Sequence, residues 1–403
     1  MIFGNFTLNL KVLNMVQLPI YLDYNATSPC DPRVVEAMLP FFTRHFGNAA
    51  SRDHSFGWEA AEAVQIARER IAALIGAEAR EVVFTSGATE AVNLALKGVS
   101  EMYAAKGRHI ITVETEHSAV LETCRHLEKM GAEVSYLPVD QNGLLALDTL
   151  ESAIRADTIL IAVMYANNET GVIQPVQQIA ALAKRHGVLF FSDATQAVGK
   201  IPVEVLADGI DIMAFSSHKI YGPKGVGALY IRRKQPRVNI SRQIDGGSHE
   251  RGWRGGTLNV PGIVGFGMAA EICVENMTND AAQMGRLRDQ LERSLAGSTG
   301  ASVNGESAPR LPNVSNISFQ QVKGKALIAG INKQIAVSTG SACLSETPEP
   351  SHVLKAMGLA DEQAYSAIRF SLGRFTTEEE IAYTIQRVQE VLRQQEVLTP
   401  NGD

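Results

Sequence analysis

Between residues 80 and 232 the chain alternates short runs that are apolar on both faces with longer amphipathic or alanine-rich stretches. The apolar runs are Val82 to Phe84, Ile110 to Val113, Val134 to Val139, Ile159 to Val163, Val188 to Phe191, Ile212 to Phe215 and Val226 to Ile231. Runs without polar alternation, separated by helix-length segments, predict a largely parallel seven-stranded sheet covered on each side, because a strand buried on both faces presents nothing to water. Upstream, Val64, Ala67, Ile71 and Leu74 recur at helical spacing and stop before Gly76, which predicts a helix ended by a glycine. From about residue 277 the texture changes. A charged helical stretch from Met284 to Leu295 leads into a Gly/Ser/Pro-rich passage, then apolar runs around Val314 to Phe319 and Ile335 to Val337. The last helix opens with Thr377 and Glu380 at capping-box spacing and carries Ile381, Ile385, Val388 and Leu392 on one face. These patterns divide the chain into a large α/β domain (31–276) and a smaller α+β domain (277–403), preceded by an N-terminal extension (1–14) and a segment (15–30) that is expected to pack with the small lobe.

Length and composition narrow the function classes. At 403 residues the chain exceeds the usual single domain, and 45% hydrophobic with 20% charged residues is ordinary globular composition. Lys and Arg number 37 against 43 Asp and Glu, a net charge of −6, which provides no electrostatic footprint for nucleic acid or an anionic membrane. Cys30, Cys124, Cys273 and Cys343 lie far apart without C-x-x-C spacing, so neither a zinc site nor a disulfide framework is indicated and no metal is expected. Met1 to Asn14 is fairly apolar but has no basic start, cleavage site or membrane-length run, so a cytoplasmic protein is expected.

Ligands of open α/β sheets bind beyond the carboxyl ends of the strands, so the residues after each apolar run are where chemistry is sought. After Phe84, Thr85-Ser86-Gly87-Ala88-Thr89-Glu90 forms a glycine turn opening a helix, whose N–H groups and dipole suit a phosphate. Glu114-Thr115-Glu116-His117 follows Val113, Asn167-Asn168 lies beyond Val163, Ser192-Asp193-Ala194-Thr195-Gln196 follows Phe191, and Ser216-Ser217-His218-Lys219 follows Phe215. One such cluster is ordinary strand-end polarity. Five on one edge supply a phosphate cradle, a ring-sized histidine, an amide, a carboxylate and a lysine. That inventory matches pyridoxal 5'-phosphate, which needs a lysine for the imine, an acid to keep its pyridine nitrogen protonated, and donors for its phosphate. Lys219 is the candidate lysine with nearby Lys224 as its rival, Asp193 the pyridinium partner and His117 the group stacked on the ring. Gly265-Phe266-Gly267-Met268-Ala269-Ala270 superficially resembles a dinucleotide fingerprint but follows Pro261-Gly262 rather than a strand, and is read as close helix packing. No G-x-x-x-x-G-K-[ST] loop occurs, so ATP chemistry has no support.

Five segments then carry a family resemblance: Tyr21-Leu22-Asp23-Tyr24-Asn25-Ala26-Thr27, Thr85 to Glu90, Asn167-Asn168-Glu169-Thr170-Gly171, Ser216 to Gly225 and Arg254-Gly255-Gly256-Thr257. In order and spacing, from about residue 20 to 393, the chain resembles the cysteine desulfurases of the class V aminotransferase family. Ser338-Thr339-Gly340-Ser341-Ala342-Cys343-Leu344-Ser345-Glu346 resembles the loop bearing the sulfur-accepting cysteine of the iron–sulfur-assembly type, and its polar, turn-rich setting suits mobility. Cys124 and Cys273 sit in apolar helical stretches and read as structural, whereas Cys30 has no assigned role.

The resemblance implies the PLP-dependent transferase fold of type I, with Thr89, Ser216 and His218 on the phosphate, Asn168 and Gln196 at the ring hydroxyl, and Ala88 among the cofactor-binding residues. It places Thr257 on the phosphate of a neighbouring subunit, hence a homodimer. Arg369 holds the substrate carboxylate, helped by Asn168, with Arg374 as rival. The implied reaction removes sulfur from L-cysteine, leaving L-alanine. Lys219 takes the α-proton, His117 shuttles protons, and Cys343 as thiolate keeps the sulfur as a persulfide for an acceptor protein. Gly47-Asn48-Ala49-Ala50-Ser51 and Gly246-Gly247-Ser248 depart from the family pattern, and the chain stops at Asp403 soon after its last helix. Iron–sulfur assembly, tRNA thiolation and DNA phosphorothioation are the destinations left open. An aminotransferase or selenocysteine lyase is the rival enzyme, and a non-catalytic scaffold would have lost Lys219, Asp193 or Cys343.

Overall fold

The computed structural model describes residues 16–296, 300–319, 324–339 and 350–398. The expected extension over 1–14 and the Cys343 loop lie outside the described residues. After a two-residue strand, β1 (Ile20–Tyr21), come seven strands: β2 (Val82–Thr85), β3 (His109–Val113), β4 (Glu133–Leu137), β5 (Thr158–Ala162), β6 (Leu189–Asp193), β7 (Ile212–Ser216) and β8 (Gly227–Ile231). They form one sheet in the order β2-β8-β7-β6-β5-β3-β4. The pairs β7–β6, β6–β5, β5–β3 and β3–β4 are parallel, while β8 is antiparallel to both β7 and β2. The reversal of β8 has a simple cause: only residues 217–226 separate it from β7, fewer than the dozen or more a parallel crossover needs. Because β2 lies antiparallel to β8, it points the same way as β3, β5, β6 and β7, and the carboxyl ends of these five strands share one edge.

Alternate residues of the strands feed two apolar layers. Phe84, Ile161, Phe190 and Met213 enter one core, and Val83, Leu160, Phe191 and Ile212 the other. The edge strand β4 is only part-buried, since one of its sides has no neighbour. Helix Ser55–Leu74 forms where the apolar repeat predicts it and packs on helix Val260–Ala296. A Cβ at Gly267 would sit 2.5 Å from the Cα of Ala67, so glycine there lets the two helices close up. The helix Val260–Ala296 runs through residues 276 and 277 without interruption. Ile263, Phe266 and Cys273 belong to the large core, and Met284, Leu287, Leu291 and Leu295 to a separate one.

That second core belongs to the small lobe. Strands β9 (Ala301–Val303) and β10 (Val314–Phe319) pair antiparallel with each other. A short β11 (Ile335–Ala336) pairs in parallel with β1, and β12 (Ala367–Ser371) pairs antiparallel with β10. The N-terminal strand is thus stitched into this lobe. The final helix, Glu378–Leu398, starts with the capping box: Thr377 donates its N–H to Glu380 Oε2 at 3.0 Å, and the Glu380 N–H returns to Thr377 Oγ1 at 3.2 Å. Among the described residues no helix is long and apolar enough to cross a membrane.

Candidate active site

The five aligned strand ends open into a cavity of about 680 Å³. Ala88, Thr89, His117, Asn168, Asp193, Gln196, Ser216, His218, Lys219 and Arg369 all line it. Thr257 does not: it is exposed and borders a smaller recess beside Ser86 and Gly225. Cys343 lies outside the described residues.

β7 ends at Ser216, and the single turn Ser217–Lys219 swings Lys219 over the edge. Its Nζ donates to the carbonyl oxygens of Asn25 at 2.5 Å and Ala26 at 2.7 Å. Burial and then the charge of Arg369 lower its pKa to about 8, while Asp193 and Asp23 pull the other way. Lys224 also lines the cavity but is exposed. Asp193 closes β6, is buried, and accepts the Thr195 N–H on Oδ1 at 3.0 Å.

His117 follows β3 and caps helix Ser118–Lys129, its Nδ1 accepting the Ala119 N–H at 3.1 Å. An accepting Nδ1 carries no proton, which assigns the ring's proton to Nε2, and burial pushes its pKa below the usual imidazole value. His218 is neutral for a similar reason: burial, then the charges of Lys219, Lys224 and Lys200, push it down to about 4. Its Nδ1 lies 3.0 Å from Thr27 Oγ1. Helix Ala88–Met102 begins after Gly87 with no side chain capping its first turn, so its amides face the cavity beside Thr89.

Arg369 comes from β12 of the small lobe. Nη2 pairs with Asp23 Oδ1 at 2.7 Å, Nη1 donates to the Asn168 carbonyl at 3.1 Å, and Nε is buried without a partner among the described residues. The rival Arg374 is committed elsewhere. Nε donates to Asp280 at 2.7 Å, Nη1 lies 3.3 Å from Asp31, and the guanidinium sits 4.4 Å over the Tyr221 ring. Arg374 is not among the lining residues. Of the described cysteines, Cys124 and Cys273 are fully buried, and burial pushes their thiols up to about 12 and about 11.

Reasoning from sequence missed three residues of this neighbourhood: Asp23, Asn25 and Lys200. Asn25 is the hub. Its carbonyl accepts from Lys219 and from Gln196 Nε2, and its Oδ1 accepts from Lys200 at 3.1 Å and from Asn313 at 2.9 Å. Its Nδ2 donates to the Asn168 carbonyl, and its N–H to Ser371 Oγ. The only available signal was its place in the Tyr21 to Thr27 segment; nothing near Lys200 in sequence marks it.

Residues 20–383 match the family described as Aminotransferase class-V. The protein is 53% identical over 390 residues to "Cysteine desulfurase IscS" of Serratia proteamaculans, covering 96% of each chain. Among solved structures it superposes on a "NifS-like protein" with a TM-score of 0.86 at 40% identity, covering 93% of this chain and all of that one. It also superposes on "SspA in complex with cysteine" with a TM-score of 0.78 at 35% identity, covering 89% and 100%. A match that spans both lobes and the whole cavity edge leaves one assignment: the chain belongs to the class-V aminotransferase family, among its cysteine desulfurases.

Proposed function

We propose that the protein is a pyridoxal-phosphate-dependent cysteine desulfurase that converts L-cysteine to L-alanine and holds the released sulfur on Cys343 for an acceptor protein. The observation that carries this reading is Lys219: a primary amine at a strand end with a pKa of about 8, in the same cavity as Asp193, an uncapped helix start and Arg369.

The donor set fits the cofactor. The amides of Ala88 and Thr89 with Ser216 and His218 would hold its phosphate, Asp193 its ring nitrogen, Asn168 and Gln196 its ring hydroxyl, and His117 one ring face. A Cβ at Gly227 would come within 2.7 Å of the Gly87 backbone, so the glycine pair lets the phosphate-side turn lie against β8. When bound, the cofactor supplies a carbonyl carbon that condenses with amines and a ring that takes up electrons.

Lys219, partly unprotonated near neutral pH, provides the amine and afterwards a base for the substrate α-proton. His117 can pass protons only through Nε2, because Nδ1 is held by the Ala119 amide. Arg369, which lines the cavity, binds the cysteine carboxylate through its guanidinium. Cys343, as thiolate, forms the S–S bond while the C–S bond of the substrate breaks, and Lys219 or His117 returns the proton that completes alanine. The likeness of its loop to assembly-type desulfurases favours iron–sulfur assembly as the sulfur's destination. A cytoplasmic homodimer, with Thr257 reaching the neighbouring subunit's phosphate, completes the reading.

The test is alanine and sulfide production from L-cysteine with a thiol reductant, comparing wild type, Lys219→Ala and Cys343→Ser. Wild type should be yellow and active. Cys343→Ser should stay yellow but release no sulfide, and Lys219→Ala should lose at least about 10³-fold in turnover. Equal sulfide from Cys343→Ser would favour the lyase or aminotransferase reading, and a colourless, inert wild type a scaffold.

A further inference from the structure

Lys200 is buried beneath the cavity, 7% exposed, and no ion pair joins it to any described carboxylate. Its Nζ instead donates to two neutral oxygens, Gln196 Oε1 at 2.6 Å and Asn25 Oδ1 at 3.1 Å. Burial, with the charges of Lys219 and Arg369 adding to it, pushes the amine well below the usual lysine range. Both of these oxygens are thereby held against an N–H donor.

The consequence falls on Gln196. Its Oε1 is taken by Lys200, and its Nε2 donates one hydrogen to the Asn25 carbonyl at 3.0 Å, which leaves the second Nε2 hydrogen for the cavity that Gln196 lines. Turning the amide over would set Oε1 against the Asn25 carbonyl oxygen and strip Lys200 of its acceptor. In the same way, Lys200 and Asn313 occupy Asn25 Oδ1, which commits Asn25 Nδ2 to the Asn168 carbonyl. One buried amine thus helps to fix two amides that could each face either way, together with the Asn25 carbonyl for Gln196 and with Asn313 for Asn25.

We propose that Lys200 is a positioning residue that locks the Gln196 amide with its nitrogen toward the cavity, as a ready hydrogen-bond donor to the ring oxygen of the cofactor. This rests on the pyridoxal-phosphate reading above and adds to it a residue that touches neither cofactor nor substrate.

The contact is tested first without cofactor. In protein labelled with ¹⁵N-glutamine, the Gln196 side-chain amide signal, assigned by its loss in Gln196→Ala, should shift in Lys200→Met; an unchanged signal overturns the proposal. Pyridoxal phosphate binding is then measured by equilibrium dialysis in a double-mutant cycle. Lys200→Met should weaken binding about tenfold, Gln196→Ala by a similar factor, and the double variant no further. Additive losses, or a lowered melting temperature with unaltered affinity, would show a structural role only and sink the idea. Lys200→Gln keeps a donor and should recover part of the affinity; if Lys200→Met does not fold, this variant carries the same cycle. Should wild type bind no pyridoxal phosphate, the functional reading falls, and the amide signal alone decides on Lys200.

Discussion

The sheet edge and the small lobe meet at one cavity and hold their positive groups in opposite ways. Along the edge and just beneath it, Lys219, His117, His218 and Lys200 have depressed pKa values, with burial as the leading cause in each. None of the four is ion-paired with a described carboxylate. On the small lobe, Arg369 is matched with Asp23, and Arg374 with Asp31 and Asp280. Nitrogens whose pKa values are lowered by burial give up protons more readily, which proton transfer requires. Guanidiniums kept charged can only orient, which suits holding a carboxylate and holding two lobes together.

Three experiments would break or sharpen that contrast. The largest effect is expected from Arg369→Met, which should raise KM for L-cysteine about a hundredfold, since a charge-assisted pair to the substrate carboxylate is lost. Arg374→Met should leave KM near wild type but destabilise the fold by about 3 kcal/mol, read from denaturant unfolding, because Asp280 loses its guanidinium partner and Asp31 is left with Arg33 alone. A raised KM in Arg374→Met would erase the distinction between the two arginines.

Next comes the stability linkage of Lys219 in cofactor-free protein. Its folded pKa of about 8 lies below the unfolded value near 10.5. The folded state therefore carries a desolvation cost in full below pH 8, and sheds it as pH rises from 8 toward 10.5. Lys219→Met should stabilise the protein by ~3 kcal/mol at pH 7 and by almost nothing near pH 10.5. A gain independent of pH would mean that the lysine is not strained by its burial. Asp23→Asn should lower the Lys219 pKa further, as that carboxylate supports the charged amine.

The smallest effect tests the small lobe away from the site. Thr377→Ala removes the hydroxyl of the capping box, should cost about 1 kcal/mol in denaturant unfolding, and should leave cysteine turnover untouched.

Much of this arrangement was readable along the chain. The sheet announces itself through runs apolar on both faces. Asp193, His117 and Lys219 follow from standing just past those runs, because a parallel sheet puts strand exits on one edge. The direction of β8 was less legible: its residues are as apolar as those of a parallel strand, and only the short connection from β7 decides it. Nor did the change of texture near residue 277 reveal that a single helix carries both cores, since Gly265 to Ala270 and Met284 to Leu295 look like separate elements.

By itself the sequence determined the elements, the inventory of chemical groups and the family, because those depend on periodicity and local order that neighbouring residues carry. Tertiary structure alone decided which arginine faces the cavity, that Asn25 joins Lys219, Gln196, Asn168 and Ser371, and that a lysine with no sequence signature holds an amide in place. Asn25 and Ser371 are 346 residues apart along the chain. Hydrogen-bond partners that distant are chosen by how the two lobes pack, and burial, which sets the charge state of Lys219 and Lys200, exists only once they have packed.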